Sequence, residues 1–132
     1  MSMRLSSPLP ERTESIVTKT IGCAITVHRC LGPGLLEGLY EDAMTIELEF
    51  AGLRFDRQRE IILKYRDRPL RSQRIDLIVE DAVIVEIKSI DALHPLHRAQ
   101  LISYLRSADM RIGLLINFNV EVLKGNIKRI VR

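Results

Sequence analysis

"DLIVEDAVIVEIK", Asp76 to Lys88, is the stretch that decides how this chain folds. Val, Ile and Leu fill two short runs around Glu80-Asp81-Ala82, so the segment reads as a β-hairpin with a three-residue loop. Strand side chains alternate between faces. Ile75, Leu77 and Val79 therefore share one face of the first strand, and Val83, Val85 and Ile87 share one face of the second. Bringing both apolar sets to the same side pairs Val79 with Val83, and hence Asp76 with Glu86. The opposite face then carries Arg74, Asp76 and Ile78 beside Ile84, Glu86 and Lys88.

This register sets two carboxylates directly across from each other, with Cβ atoms about 5 Å apart, where like charges repel. A shared proton or an intervening cation removes the conflict. Lys88 follows two residues after Glu86 on the same face, about 6–7 Å along the strand. Two hard oxygen ligands beside an ammonium suit Mg²⁺-assisted attack on phosphate, and Mn²⁺ can stand in for it. The plainer reading is a solvated strand edge on which Lys88 neutralises one acid. The hairpin by itself leaves both open.

With 132 residues, 46% of them hydrophobic and 28% charged, the chain has the size and composition of one soluble globular domain. No apolar run approaches the ~18 residues that span a bilayer. The first residues lack an apolar signal core, so a cytoplasmic location is the default expectation. Cys23 and Cys30 lie seven apart in one expected helix, about 10 Å along its axis, too far for a disulfide. Between Arg54 and Arg74, eight Lys/Arg (54, 57, 59, 64, 66, 68, 71 and 74) face Asp56, Glu60 and Asp67. That local excess suits phosphates, and equally a solvated pair of strands with basic outer faces.

Residues 1–10 read as a loose lead-in and 11–132 as the domain. Apolar spacing predicts a helix over 11–29, broken by Gly32-Pro33-Gly34, and a second over 35–51 stopped by Gly52. Strands are expected over 55–65, 74–80 and 83–88, with "RDRP" (66–69) as the turn between the first two. A third helix starts near Pro95, followed by strands over 111–118 and 126–132. Strands on both sides of a crossover helix imply a mixed sheet with helices packed on it, an α/β (α+β) domain.

Two helices can contribute to the hairpin's polar face. In the third, His97, Gln100 and Tyr104 share one stripe, and Gln and Tyr can hydrogen-bond a phosphate or hold a carboxylate ligand. A partly exposed Gln and a rim Tyr would look the same. On a wheel of the second helix, Gly38, Glu41, Asp42, Thr45 and Glu49 form the wet face. Leu36, Leu39, Tyr40, Ala43, Met44, Ile46 and Phe50 form a wide apolar arc, which also offers a face for self-association into a homo-oligomer. Glu37 borders that arc and Glu47 falls inside it, so each needs a partner: an Arg, a metal, or a metal-bound water.

The blocks in this order resemble the GxxExxY family of the PD-(D/E)XK nuclease-like superfamily. The naming motif reads Gly34-Leu35-Leu36-Glu37-Gly38-Leu39-Tyr40, followed by "RIDLIVED", "VIVEIKSI", "LHRAQLISYLR", "IGLLINFN" and "IKRIVR". The resemblance covers residues 14–132. It implies a restriction-endonuclease-like αβββαβ core with an extra N-terminal helix. It also implies that Asp76, Glu86 and Lys88 are the D and E-x-K, that Glu37 is most simply the helix glutamate (with Glu47 the other choice), and that Gln100 and Tyr104 are the Q-x-x-x-Y. Asp76, Glu86 and Glu37 would serve the metal, Mg²⁺ or Mn²⁺, and the implied activity is phosphodiester hydrolysis, mostly in DNA. Ile75 replaces the nominal proline, which has no ligand role, and no cysteine cluster is present. The alternative expectation is a catalytically silent nuclease-fold module that binds nucleic acid or a protein.

Overall fold

The computed structural model describes residues 8–132. Two helices, α1 (Glu11–Leu31) and α2 (Glu37–Phe50), precede β1 (Phe55–Ile61), β2 (Lys64–Tyr65), β3 (Arg68–Pro69), β4 (Gln73–Val79) and β5 (Val83–Lys88). Then come α3 (Pro95–Ala108), β6 (Ile112–Asn117) and β7 (Ile127–Val131). Five strands form one sheet in the order β1-β4-β5-β6-β7, with β5 and β6 parallel and the other neighbours antiparallel. The parallel pair is joined by α3, as parallel neighbours require a crossover. The mixed α/β architecture expected from the sequence is the one observed.

Helices cover both faces of the sheet. Leu77, Val79, Val83, Val85 and Ile87 pack with α1 and α2 residues such as Val17, Ala24, Met44 and Leu48. Ile78, Ile84 and Leu115 pack on the other side with Leu101, Tyr104 and Leu105 of α3. This two-sided cover explains why β5 is buried at every position but its last: a central strand has no wet face. Close contact on the α3 side is possible because β6 carries Gly113, where an added Cβ would lie 2.8 Å from Leu101 Cδ1. In α1, Ile16, Val17, Thr20, Cys23, Ala24, Val27 and His28 form the buried stripe, with Ile21 and Ile25 half-buried at its border.

Of the expected lead-in, residues 1–7 lie outside the described residues; Leu9 is buried in the core, and the Pro8 carbonyl accepts a hydrogen bond from Arg111 Nη1 at 3.3 Å. Two expectations are corrected. The strand expected over 55–65 is broken at Ile62 and Leu63. Its last two residues pair with Arg68 and Pro69 in a separate two-stranded ribbon, whose turn is Arg66-Asp67 at φ 50° and 61°. Finally, Ile75 does not share a face with Leu77: it packs on the α3 side. The β1–β4 ladder skips Gln58 opposite Asp76, and Gln58 has φ 54°, in the left-handed region. A residue so twisted breaks the pleat of the strand pair, and the alternation changes phase across it.

Candidate active site

The β4–β5 ladder pairs Leu77 with Val85, Ile78 with Ile84 and Val79 with Val83. One step further, Asp76 and Glu86 meet, and side chains take over from backbone partners. The Asp76 N–H donates to Glu86 Oε1 at 3.3 Å, and the Ile87 N–H donates to Asp76 Oδ2 at 2.8 Å. Each carboxylate thus crosses to the opposing strand. The geometry follows from the phase change at Gln58, which leaves these two positions out of the regular ladder.

Glu86 is buried, at 5% exposure. Burial and the neighbouring Asp76 charge push its carboxyl up to about 8, far above the usual carboxylate range. Asp76 is also raised, chiefly by burial, although the Ile87 N–H and the Lys88 charge pull the other way. An acid pair in this state takes up a proton or a cation. Lys88 is half-buried at the end of β5, and its charge favours ionisation of both acids. Tyr104 is buried, donates to Gln73 Oε1 at 2.8 Å, and has its hydroxyl raised by burial and by the Glu86 and Asp76 charges. Gln100, one turn earlier, is exposed.

The second helix is rotated relative to the expected wheel. Tyr40, Glu41, Met44, Thr45 and Leu48 are buried, whereas Leu36, Leu39, Ile46 and Phe50 are exposed. Glu41 was expected on the wet face; it is instead 8% exposed because partners from β1 satisfy it. Arg57 Nε donates to Glu41 Oε2 at 2.7 Å and Gln58 Nε2 to Oε1 at 2.5 Å. Gln58 Nε2 also reaches Asp76 Oδ1 at 3.4 Å, and the Glu41 charge helps to raise Asp76. A third acid is thereby tied to the pair through Gln58. Only the i, i+4 relation of Glu41 to Glu37 hinted at this.

Glu37 itself is exposed, and its Oε1 accepts from the Ser89 N–H at 3.3 Å, just beyond Lys88. Glu47 faces the other way: its charge bears on Cys23 of α1, whose thiol is raised first by burial. His97, near Lys88 and Glu37, has its imidazole lowered by partial burial and by Lys88. Its Nδ1 accepts from the His94 N–H at 2.9 Å, capping α3. The N–H is the donor here, so the neutral ring carries its proton on Nε2.

The loop leading into α2 is braced. Gly34 sits at φ 98°, where a side chain would be strained, and its N–H donates to Asn119 Oδ1 at 3.1 Å. Tyr40 stacks on Phe118 with ring centres 4.6 Å apart. Its hydroxyl donates to the Gly32 carbonyl at 2.5 Å and accepts from the Leu35 N–H at 3.2 Å. Asn117, buried beside Lys88 in the β5–β6 register, holds both the N–H and the carbonyl of Ile90. Neither its role nor that of Phe118 was legible in the sequence.

Among the described residues, no three His, Cys, Asp or Glu side chains form a metal cage. Asp76 and Glu86 alone still fit Mg²⁺, which usually keeps several waters and takes one or two carboxylates plus substrate phosphate. Burial is the first cause of both raised carboxyls, and a cation held between them would favour their ionised forms. A family model for the PD-(D/E)XK nuclease superfamily matches residues 14–130. The chain belongs to that superfamily. No curated protein and no solved structure matches it. PD-(D/E)XK nucleases generally use divalent metals, in keeping with the donor set here. Nuclease-type chemistry and nucleic acid as partner follow at the level of the superfamily. No described helix is long and apolar enough to cross a membrane.

Proposed function

We propose that the protein is a Mg²⁺-dependent nuclease that hydrolyses phosphodiester bonds in DNA, of the GxxExxY type. The observation that carries this reading is the pairing of half-buried Asp76 with buried Glu86, with Lys88 two residues along the same strand. Apolar residues at 76 and 86 would fit a central strand without electrostatic cost, so a purely structural role gives no reason for two facing acids.

Asp76 and Glu86 hold the metal, and Glu37 assists through water from its place beside Ser89. A bound divalent cation supplies charge neutralisation and Lewis-acid polarisation of the scissile phosphate. Lys88 orients the attacking water and stabilises charge developing on the phosphoryl oxygens. Gln100, exposed on the first turns of α3, hydrogen-bonds a phosphate oxygen; Tyr104, through Gln73, keeps β4 in place beside the acids. Mn²⁺ satisfies the same ligands.

The test is a cleavage assay on single-stranded, duplex and branched DNA and on RNA, with Mg²⁺ or Mn²⁺. Glu86→Ala and Lys88→Ala serve as controls. Cleavage lost in both variants is the expected result; activity indifferent to both would overturn the assignment.

A further inference from the structure

Eight basic residues between Arg54 and Arg74 divide into two groups in the fold. Arg54 pairs with Glu80, Arg57 with Glu41 and Asp42, and Arg59 with Asp56 and Asp81, so these three are neutralised locally. The remaining five, Lys64, Arg66, Arg68, Arg71 and Arg74, are exposed and make no ion pair among the described residues. Four of them, Lys64, Arg66, Arg68 and Arg71, cluster on and just after the β2–β3 ribbon, where the only acid within residues 62–73 is Asp67; Arg74 lies in β4, opposite Glu60 in the β1–β4 ladder.

The same ribbon presents an aromatic ring. Tyr65 is 65% exposed and lies directly opposite Arg68 in the ladder, so the two side chains share one face. Ile62 and Leu70, about half exposed, flank the ribbon. A folded domain gains nothing by holding a tyrosine, two aliphatic side chains and four unpaired cations in water at one projection. The base of the ribbon is tied to the candidate site: Gln73 pairs with Ile61 at the end of the β1–β4 ladder and accepts the Tyr104 hydroxyl. Gln73 precedes Asp76 by three positions, about 10 Å of strand.

We infer that the β2–β3 ribbon is a finger that grips an unpaired strand of nucleic acid leading into the site. Tyr65 stacks on a base while Arg68, Arg66 and their neighbours contact the flanking phosphates. An unpaired strand is the fitting ligand because its bases offer an open ring face, which a duplex hides inside its stack. The inference rests on the nuclease reading and adds to it the form of the substrate at this side of the site.

The test is fluorescence anisotropy in EDTA, where no cleavage occurs, with a labelled twelve-nucleotide oligothymidylate and a labelled twelve-base-pair duplex as probes. Tyr65→Ala should weaken the single strand about fivefold or more and the duplex less than twofold. The triple variant Arg66→Gln/Arg68→Gln/Arg71→Gln should flatten the salt dependence of single-strand binding by about two units of log–log slope. All four side chains are exposed, so circular dichroism and melting should be unchanged in both variants. If the wild type binds and the variants bind equally well, the finger assignment falls; so it does if the ribbon binds anionic lipid vesicles and no oligonucleotide. Cleavage by the wild type with unchanged binding by the variants would sink the finger alone. Finger-dependent binding without cleavage under any metal would sink the nuclease reading alone.

Discussion

Replacing Glu86 by Gln removes one charge from a buried site while keeping its shape and an oxygen to accept the Asp76 N–H. Burial and Asp76 carry the Glu86 carboxyl from 4.5 to about 8. Below pH 4.5 the group is protonated in the folded and unfolded chains alike, and its contribution to stability is complete. Between pH 4.5 and 8 the unfolded chain ionises first, so that contribution is lost progressively as pH rises through the folded value. At about 1.4 kcal/mol per pH unit the loss has a ceiling near 5 kcal/mol, and relaxation of the site should bring it to a few kcal/mol. Urea denaturation in EDTA at pH 5, 7 and 8.5 measures it. The wild-type midpoint should fall with pH more steeply than that of Glu86→Gln, and the variant should be the more stable protein at pH 8.5. Added Mg²⁺ at pH 8.5 should restore the wild type and leave the variant unmoved. Parallel pH profiles for the two proteins would refute the buried-charge argument.

Other substitutions probe the supports. Gly113→Val drives a side chain into Leu101 and should destabilise the fold by about 1–3 kcal/mol in chemical denaturation, with the loss relieved when Leu101 is trimmed to Ala. Tyr40→Phe deletes a hydroxyl bonded to Gly32 and Leu35 and should cost about 1 kcal/mol, read as a lower melting temperature. Gln58→Ala cuts the connection between Glu41 and Asp76; cleavage should drop while single-strand binding in EDTA stays within twofold of wild type. Phe50→Lys and Ile46→Lys lie on the exposed side of α2 and should change unfolding free energy by less than about 0.5 kcal/mol each.

The Asp76–Glu86 encounter was legible because two local facts fix it: period-two alternation in each strand, and a loop whose length sets the parity of the register. Ile75 was not, although its pattern looks regular. Its face is decided by the left-handed Gln58 in a different strand, which no pattern within residues 74–88 records. Glu41 was missed for a related reason. The apolar residues of α2 point two ways, Tyr40, Met44 and Leu48 inward and Leu36, Leu39, Ile46 and Phe50 outward, so the wheel favoured the wrong arc. A carboxylate becomes acceptable on the inner side only when Arg57 and Gln58 arrive from β1 to bond it. The β2–β3 ribbon escaped notice because two-residue strands are too short to display a period, and "RDRP" carries turn residues whichever element it belongs to. Helix positions fared better: long amphipathic repeats average over single exceptions, and α1 and α3 both start where their sequences indicate.

The change of phase at Gln58 and Asp76 has a bearing on how such a chain can diversify. In an unbroken strand pair, inserting one residue anywhere inverts every side chain beyond it, so length is frozen along the whole ribbon. Here the alternation is reset at the acids. The half bearing Phe55, Leu77 and Val79 packs under α1 and α2, whereas the half running outward through Ile75 and Ile61 packs on the α3 side and opens beyond Gln73 into the β2–β3 projection. Descendants of such a gene can lengthen, shorten or exchange that projection while the carboxylates stay in register, a modular arrangement in which reach evolves separately from chemistry.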